Sequence, residues 1–280
     1  MLLLHRNMRL LSWIFVFLCA VYSLPGTASA VVLDWSALSW TPGSLSNSYD
    51  VDPASPGNDV TVTIGGDTGQ LQPGLVSPNP QTPAITRAFD GGLGTSPKTL
   101  ELALDLSNNS QFVTVTISFS AQYAAGVSNV SLQLFDIDFN NAGGSTYQDV
   151  ISSIHATSTT GTQIASTITG LGSNVSLTGT GLTQVLRGTA STVDLGAGSD
   201  AGNATISFNA SGISSITFTY DSGTMFANPT YQHIGIYNLD YSVVPEPSSL
   251  GACVTIVSLA IYFSRRRSRT GTKLSILAPS

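Results

Sequence analysis

Cysteine is nearly absent from this chain of 280 residues, and the two that it has, Cys19 and Cys253, lie close to its ends. Basic residues are scarce between those ends. Residues 31–244, called the body below, hold three of them against fifteen acidic residues, a net charge of −12. A body without thiols forms no disulfide and has no cysteine nucleophile. Its negative charge repels nucleic acid and anionic membranes, so we expect no nucleic-acid partner.

Motifs of catalytic sites are missing from the body as well. It has no Gly-x-Ser-x-Gly elbow, no His-Glu-x-x-His, no phosphate loop and no dinucleotide fingerprint. Its two histidines, His155 and His233, stand in apparent strands without motif spacing. Fifteen acidic residues make some carboxylate pair inevitable by chance, so such a pair in the sequence does not indicate glycoside hydrolysis. We therefore expect that the protein is not an enzyme.

Residues 1–30 have the three parts of an export signal. Arg6 and Arg9 form a basic beginning, and residues 10–22 form an apolar stretch. Small residues at Ala28 and Ala30 then form a cleavage site. The sequence therefore predicts a signal peptide over residues 1–30 and an exported protein.

The other end combines a short motif, an apolar run and a basic cluster. Pro245, Glu246 and Pro247 precede residues 248–263, which carry no charge. A helix over that run reaches roughly 24 Å, short of a hydrocarbon core of about 30 Å. The arginines that follow fix its cytoplasmic side; they include Arg265, Arg266 and Arg267. We expect a membrane helix within residues 244–269 and a short cytoplasmic tail over residues 270–280.

This order resembles the PEP-CTERM sorting signal of Gram-negative bacteria. The resemblance implies a cargo protein held transiently in the inner membrane and processed near the Pro-Glu-Pro motif by an exosortase, a membrane protease. The processed cargo then reaches the cell surface or an exopolysaccharide matrix. Residues 35–49, 135–138 and 232–237 are also similar to ectodomains found upstream of such signals, which implies an extracellular β-sandwich without a stated activity. The alternative is a plain single-pass tail anchor.

Alternation of apolar and hydroxyl side chains dominates residues 31–243. It is clearest at 59–64, 111–119, 204–208 and 216–220, and weaker at 99–106, 128–139, 148–157, 163–169, 174–178, 183–187 and 232–243. Such alternation is typical of antiparallel strands with one solvated face. The sequence predicts nine to eleven strands in an all-β, antiparallel two-sheet sandwich that is jelly-roll-like. Two immunoglobulin-like sandwiches split near residues 120–128 are the alternative. Residues 65–97, rich in Gly and Pro, are predicted to form a long loop over the sheet.

Calcium is the one cofactor that the sequence points to. In a strand over 132–139, Asp136 and Asp138 would lie side by side on the solvent face, where a cation would relieve their repulsion. Asn140 and Asp149 would add oxygen ligands of the kind that Ca²⁺ prefers. The alternative is a solvated strand end followed by a turn, because Asp, Asn and Gly are common turn residues.

Three aromatic residues are candidates for contact with sugar. Trp35, Trp40 and Tyr49 would form a platform on which sugar rings pack, or else they fill the core. Taken together, these features predict an exported surface or matrix protein with a structural, adhesive or polysaccharide-binding role. Its expected partners are an exosortase, exopolysaccharide and, before processing, the membrane. The alternative is a secreted polysaccharide lyase or hydrolase on the same scaffold, because one sandwich serves many functions.

Overall fold

The computed structural model describes residues 29–53, 56–94, 97–142, 145–190 and 199–244. They belong to one compact unit, Ala28–Val244. Within these ranges the chain forms seventeen strands and two short 3-10 turns, with no α-helix, and no described helix has the length and apolarity to span a membrane. The predicted signal peptide up to Ala28 and the sorting signal from Pro245 onward lie outside the described residues. Ala30 is described and begins the first strand.

The strands are short and follow one another closely. They are β1 Ala30–Leu33, β2 Ser46–Tyr49, β3 Val60–Gly66, β4 Ala84–Thr86, β5 Thr99–Leu104, β6 Phe112–Phe119, β7 Val127–Phe135, β8 Phe139–Ala142, β9 Ser145–Gln148, β10 Val150–Ser158, β11 Gln163–Ala165, β12 Thr167–Thr169, β13 Val175–Thr178, β14 Val185–Gly188, β15 Ala204–Phe208, β16 Ile213–Asp221 and β17 Gln232–Val243.

The four clearest alternating segments are confirmed as strands β3, β6, β15 and β16. In β6, and in β16 from Ile216 onward, every second residue is buried, as alternation with one core-facing side requires. The predicted number of nine to eleven strands is too low. The additional strands are mostly three or four residues long, which is too short for a period of two to stand out in a sequence.

Hydrogen bonding divides the antiparallel strands into two groups. The first runs β2-β3-β6-β16-β10-β14-β13, and the second runs β12-β15-β7-β17-β5-β4. Strand β11 also pairs with β10 and β1 with β17, while β8 and β9 form a separate hairpin. One residue pair, Ile213 with Val127, connects the two groups.

The core contains side chains from both groups of strands. A single cluster of buried residues includes Val115 and Phe218 of the first group and Leu134 and Ile236 of the second. Phe119 of β6 also packs against Tyr241 of β17, with 5.0 Å between ring centroids. The prediction of an all-β antiparallel fold is thus confirmed, and the two groups around one core are consistent with a β-sandwich.

The predicted long loop over residues 65–97 is more ordered than its composition indicated. It contains a 3-10 turn, Thr68–Gln70, and strand β4, which pairs with β5. Glu101 of β5 holds the segment, accepting hydrogen bonds from the Leu75 N–H at 2.9 Å and the Thr86 hydroxyl at 2.7 Å. Turn residues predicted a loop here, but the buried carboxylate of Glu101, on the strand that follows, orders it.

Candidate functional site

A row of directly paired residues crosses four neighbouring strands at one end of the first group and combines an aromatic ring with two charged groups. Phe112 of β6 pairs with Asp221 of β16, Asp221 pairs with Val150 of β10, and Val150 pairs with Arg187 of β14. Directly opposed residues in a sheet project to the same face. An aromatic ring, a carboxylate and a guanidinium therefore lie along one line across four strands.

This row forms part of a cleft of about 220 Å³. Residues 109–111 before β6 and the turn residues Gly223 and Thr224 after β16 complete its walls, together with Ser152 and Val185. Its volume is below the roughly 300–1,000 Å³ typical of pockets that enclose a drug-sized ligand. The cleft is therefore suited to one side of a ligand that extends beyond it.

Phe112 is exposed although it begins a strand of the core. Val113 and Val115 face inward, so the alternation of β6 turns Phe112 outward, where 42% of it is accessible. Asp67 fixes its backbone: the Phe112 N–H donates to Asp67 Oδ2 at 3.0 Å, and the Asp67 N–H donates to the Phe112 carbonyl at 2.8 Å. The strand thus presents an exposed apolar ring at a fixed point of the backbone.

Asp221 is partly desolvated and held from two sides. The Gly223 N–H donates to its Oδ1 at 2.6 Å, and the Ser152 hydroxyl lies 3.4 Å from its Oδ2. Burial raises the pKa of Asp221, while these hydrogen bonds and the positive charge of Arg187 oppose the increase. The Arg187 guanidinium therefore favours the charged form of Asp221 within the cleft.

Gly223 makes room for Arg187. Its φ is +58°, a left-handed conformation that favours glycine. A Cβ at this position would lie 2.9 Å from Val150 Cγ2 and 3.2 Å from Arg187 Nη1. A side chain here would displace the guanidinium.

The four residues of the predicted calcium site are only partly brought together. Strand β7 ends at Phe135, and Asp136 has a left-handed φ of +69°. Alternation therefore stops there, and Asp138 is buried instead of lying beside Asp136 on the solvent face. Asn140 lies in β8, where its Oδ1 accepts the Ala142 N–H at 2.9 Å. In the part of the chain that the structure describes, no three His, Cys, Asp or Glu side chains are arranged to hold a metal ion, so calcium stays a prediction.

Asp138 and Asp149 do meet inside the protein. The Asp138 N–H donates to Asp149 Oδ2 at 2.9 Å, and the Tyr220 hydroxyl donates to Asp149 Oδ1 at 2.6 Å. Asp149 is fully buried. Burial and then the neighbouring Asp138 carboxylate raise the pKa of Asp149 well above its usual value. The protonated form of the Asp149 carboxyl is therefore favoured in the folded protein.

The three aromatic residues predicted to contact sugar lie in the core. Trp35, Trp40 and Tyr49 are 0%, 6% and 7% exposed. Their rings pack on one another, with centroid distances of 6.0–6.5 Å. The Trp40 indole N–H donates to the Ser44 carbonyl at 3.0 Å, and the Tyr49 hydroxyl donates to the Ser39 carbonyl at 3.1 Å. Packed in this way, the rings have no free face for a sugar, and core filling accounts for them.

The two histidines of the body lie on strands, as expected. His155 of β10 is half-buried, and its Nδ1 is 2.8 Å from the Ser153 carbonyl oxygen. His233 of β17 is buried beside Glu101, away from the cleft. Neither histidine lines the cleft.

Sequence reasoning missed the cleft residues Phe112, Arg187 and Asp221. A signal was present for Phe112, since it is the one aromatic residue in the outward-facing hydroxyl set of β6. Arg187 is one of only three basic residues in the body. Their proximity depends on strand register, which alternation alone does not give.

No family model and no curated protein matches the sequence. A solved structure of a carbohydrate-binding module with specific mannan recognition is similar to 64% of this chain and 88% of its own length. The identity is 15% and the TM-score is 0.27. A likeness at that level carries no argument about ligand or activity.

Proposed function

We propose that the protein binds a polysaccharide through the cleft at the ends of β6, β16, β10 and β14. The observation that carries this proposal is the row of Phe112, Asp221, Val150 and Arg187. A sugar ring has an apolar face of C–H groups and a rim of hydroxyls. In the cleft, Phe112 matches the apolar face, and Asp221 and Arg187 match the hydroxyls.

The contacts differ in what they contribute. The exposed face of Phe112 covers the C–H groups of a ring. The Asp221 carboxylate accepts hydrogen bonds from sugar hydroxyls and the Arg187 guanidinium donates to them, and hydrogen bonds to charged groups contribute about 1.5–3 kcal/mol each. Because association itself costs on the order of 4–15 kcal/mol, a single sugar would bind weakly. A polymer that continues beyond the cleft adds the contacts that are needed.

Binding fits the cleft better than glycoside hydrolysis. Hydrolysis requires two carboxyl groups on either side of the scissile bond. Among the described residues that line the cleft, Asp221 is the only carboxylate. We therefore propose a non-catalytic binding protein.

The cellular role in this proposal follows from the two ends of the sequence. The signal peptide exports the chain, and the PEP-CTERM-like segment holds it in the inner membrane until an exosortase processes it near Pro245, Glu246 and Pro247. The acidic body, which we propose to be a jelly-roll-like sandwich, then binds polysaccharide at the cell surface or in the extracellular matrix.

Isothermal titration with extracellular polysaccharide from the source bacterium tests the proposal. Full burial of a Phe side chain is worth about 1.5–3 kcal/mol, so Phe112→Ala should weaken binding about tenfold. Leu171→Ala is the matched control, because Leu171 is similarly exposed, at 40%, and does not line the cleft. Equal affinities of the two variants would contradict the proposed site.

A further inference from the structure

The outer face of the first group carries rows of hydroxyl side chains that begin beside the cleft. Thr114 pairs with Thr219, and Thr219 pairs with Ser152. The next two rows are Thr63 with Thr116 and Thr217, and Thr61 with Ser118 and Ser215. We call these six residues of the last two rows the hydroxyl array.

The rows continue the cleft along the strands. In β6 and β16 the members are spaced two residues apart and start at Phe112 and Asp221, so all of them share the face of the cleft. At 3.2–3.4 Å per residue, the three steps from the cleft row to the row of Ser118 and Ser215 cover about 20 Å. That distance accommodates several sugar units.

The array is accessible and its hydroxyls are open to a ligand. None of its six residues is buried. Thr63 and Thr61 make side-chain hydrogen bonds with Ser46 and Ser48 of the edge strand β2, at 3.1 and 2.8 Å. The hydroxyls of Thr116, Ser118, Ser215 and Thr217 make no side-chain hydrogen bond within the described residues, so they face solvent as both donors and acceptors.

The six residues of the array are serines and threonines and carry no charge. Asp221 and Arg187 lie at the cleft end, and His155 pairs with Thr217 at one side. The net charge of −12 on the body repels a polyanion, and an anionic group at Arg187 would also meet Asp221, which stands in the same cross-strand row. An uncharged, hydroxyl-rich surface next to one carboxylate and one guanidinium complements a neutral polymer.

We infer that the cleft and the hydroxyl array together bind a neutral, extended polysaccharide, whose chain runs from the cleft along β6 and β16. This inference rests on the proposed function and adds to it the class of polymer and the path of the chain. Affinity should therefore increase with the number of sugar units, and negative charge on the array or on the polymer should weaken binding.

The experiment compares laminarin, glucomannan and arabinoxylan, which are neutral, with polygalacturonate, by affinity electrophoresis and isothermal titration. We expect binding to at least one neutral polymer, tighter binding of its longer oligosaccharides, and no binding to polygalacturonate. Thr116→Glu, at the centre of the array, should weaken neutral binding at least fivefold. Thr167→Glu is the matched control, because Thr167 is an exposed threonine of β12 in the second group.

Each outcome tests one statement: the class of polymer, the path along the array, or the proposed function. Preferential binding of polygalacturonate that falls with salt and with Arg187→Gln overturns the neutral class and leaves polysaccharide binding in place. Equal affinities of Thr116→Glu and Thr167→Glu overturn the path along the array. If Thr116→Glu does not fold, Thr116→Val removes the hydroxyl from the same place, and unchanged binding then overturns the path. Failure of the unaltered protein to bind any of these polymers or the source polysaccharide overturns the proposed function itself.

Discussion

His233 Nδ1 lies 3.1 Å from Glu101 Oε1 inside the protein, on the paired strands β17 and β5. Glu101 is fully buried and His233 is 7% exposed. Because the same carboxylate also accepts from Leu75 and Thr86, it joins the last strand to the segment over residues 65–97. This carboxylate is therefore an organising element of the fold.

Replacing Glu101 should destabilise the protein strongly. Glu101→Ala leaves three polar groups, of Leu75, Thr86 and His233, without their acceptor, and each buried polar group left without a partner costs about 1–3 kcal/mol. The free energy of unfolding, measured by urea denaturation, reports the loss. Asp105→Asn, at an exposed carboxylate one residue beyond β5, should leave stability within about 0.5 kcal/mol. Similar values for both variants would contradict the role of Glu101.

The stability of the protein should fall in acid because of the same residue. Burial alone would raise the pKa of Glu101, but hydrogen bonds from His233, Thr86 and Leu75 outweigh it, and the pKa lies below its usual value of 4.5. A carboxyl group with a lowered folded pKa stabilises above its unfolded pKa and loses that contribution as pH falls through the folded one. Unfolding free energies below pH 4.5 should therefore decrease less steeply in Glu101→Gln. Parallel pH profiles would contradict this assignment.

Asp149 should make the protein more stable in acid, which is opposite to the effect of Glu101. Its folded pKa is raised above the usual 3.8, so the folded state holds the proton more tightly, and stability decreases as pH rises from 3.8 through the folded pKa. With EDTA present, Asp149→Asn should reduce this decrease.

Calcium, if it binds at Asp149, would replace the proton. Millimolar Ca²⁺ at pH 7 should then raise the melting temperature of the unaltered protein and leave that of Asp149→Asn unchanged. No heat of binding and no shift in melting temperature would mean that the calcium prediction is wrong.

Much of the fold could be predicted from the sequence, because alternation reflects one buried and one solvated face. It located β3, β6, β15 and β16. It failed at Asp136, where a left-handed φ ends the alternation that had placed Asp138 in solvent. It also failed in the segment over residues 65–97, since no local pattern shows that Glu101 holds it. The cleft needed strand register, which joins Phe112 to Arg187 over 75 residues of chain.

Gly223 and Gly181 provide a matched pair of substitutions. Both have a φ of +58°, so alanine strains the backbone at each, at about 1–3 kcal/mol. A Cβ meets nothing within 4 Å at Gly181 but approaches Val150 and Arg187 at Gly223. Gly223→Ala should therefore weaken polysaccharide binding severalfold, while Gly181→Ala should lower only the melting temperature. Unchanged binding in Gly223→Ala would show that the position of Arg187 does not matter for polysaccharide binding.

Deletion of residues 245–280 tests the proposed sorting signal. If these residues hold the chain for processing, the shortened protein should leave the cell in soluble form, whereas the complete protein should be found at the surface or in the matrix. Fractionation of cultures followed by immunoblotting measures this. Unchanged surface retention of the shortened protein would refute the role of the segment.

The position of the bound polysaccharide is the most direct test of the central claim. Backbone amide chemical shifts, recorded while the bound polymer or its oligosaccharides are added, locate the contact residue by residue. We predict the largest changes at Phe112, Arg187, Asp221 and Gly223, with smaller ones along β6 and β16. Changes centred on the second group of strands, with none in the cleft, would contradict the account.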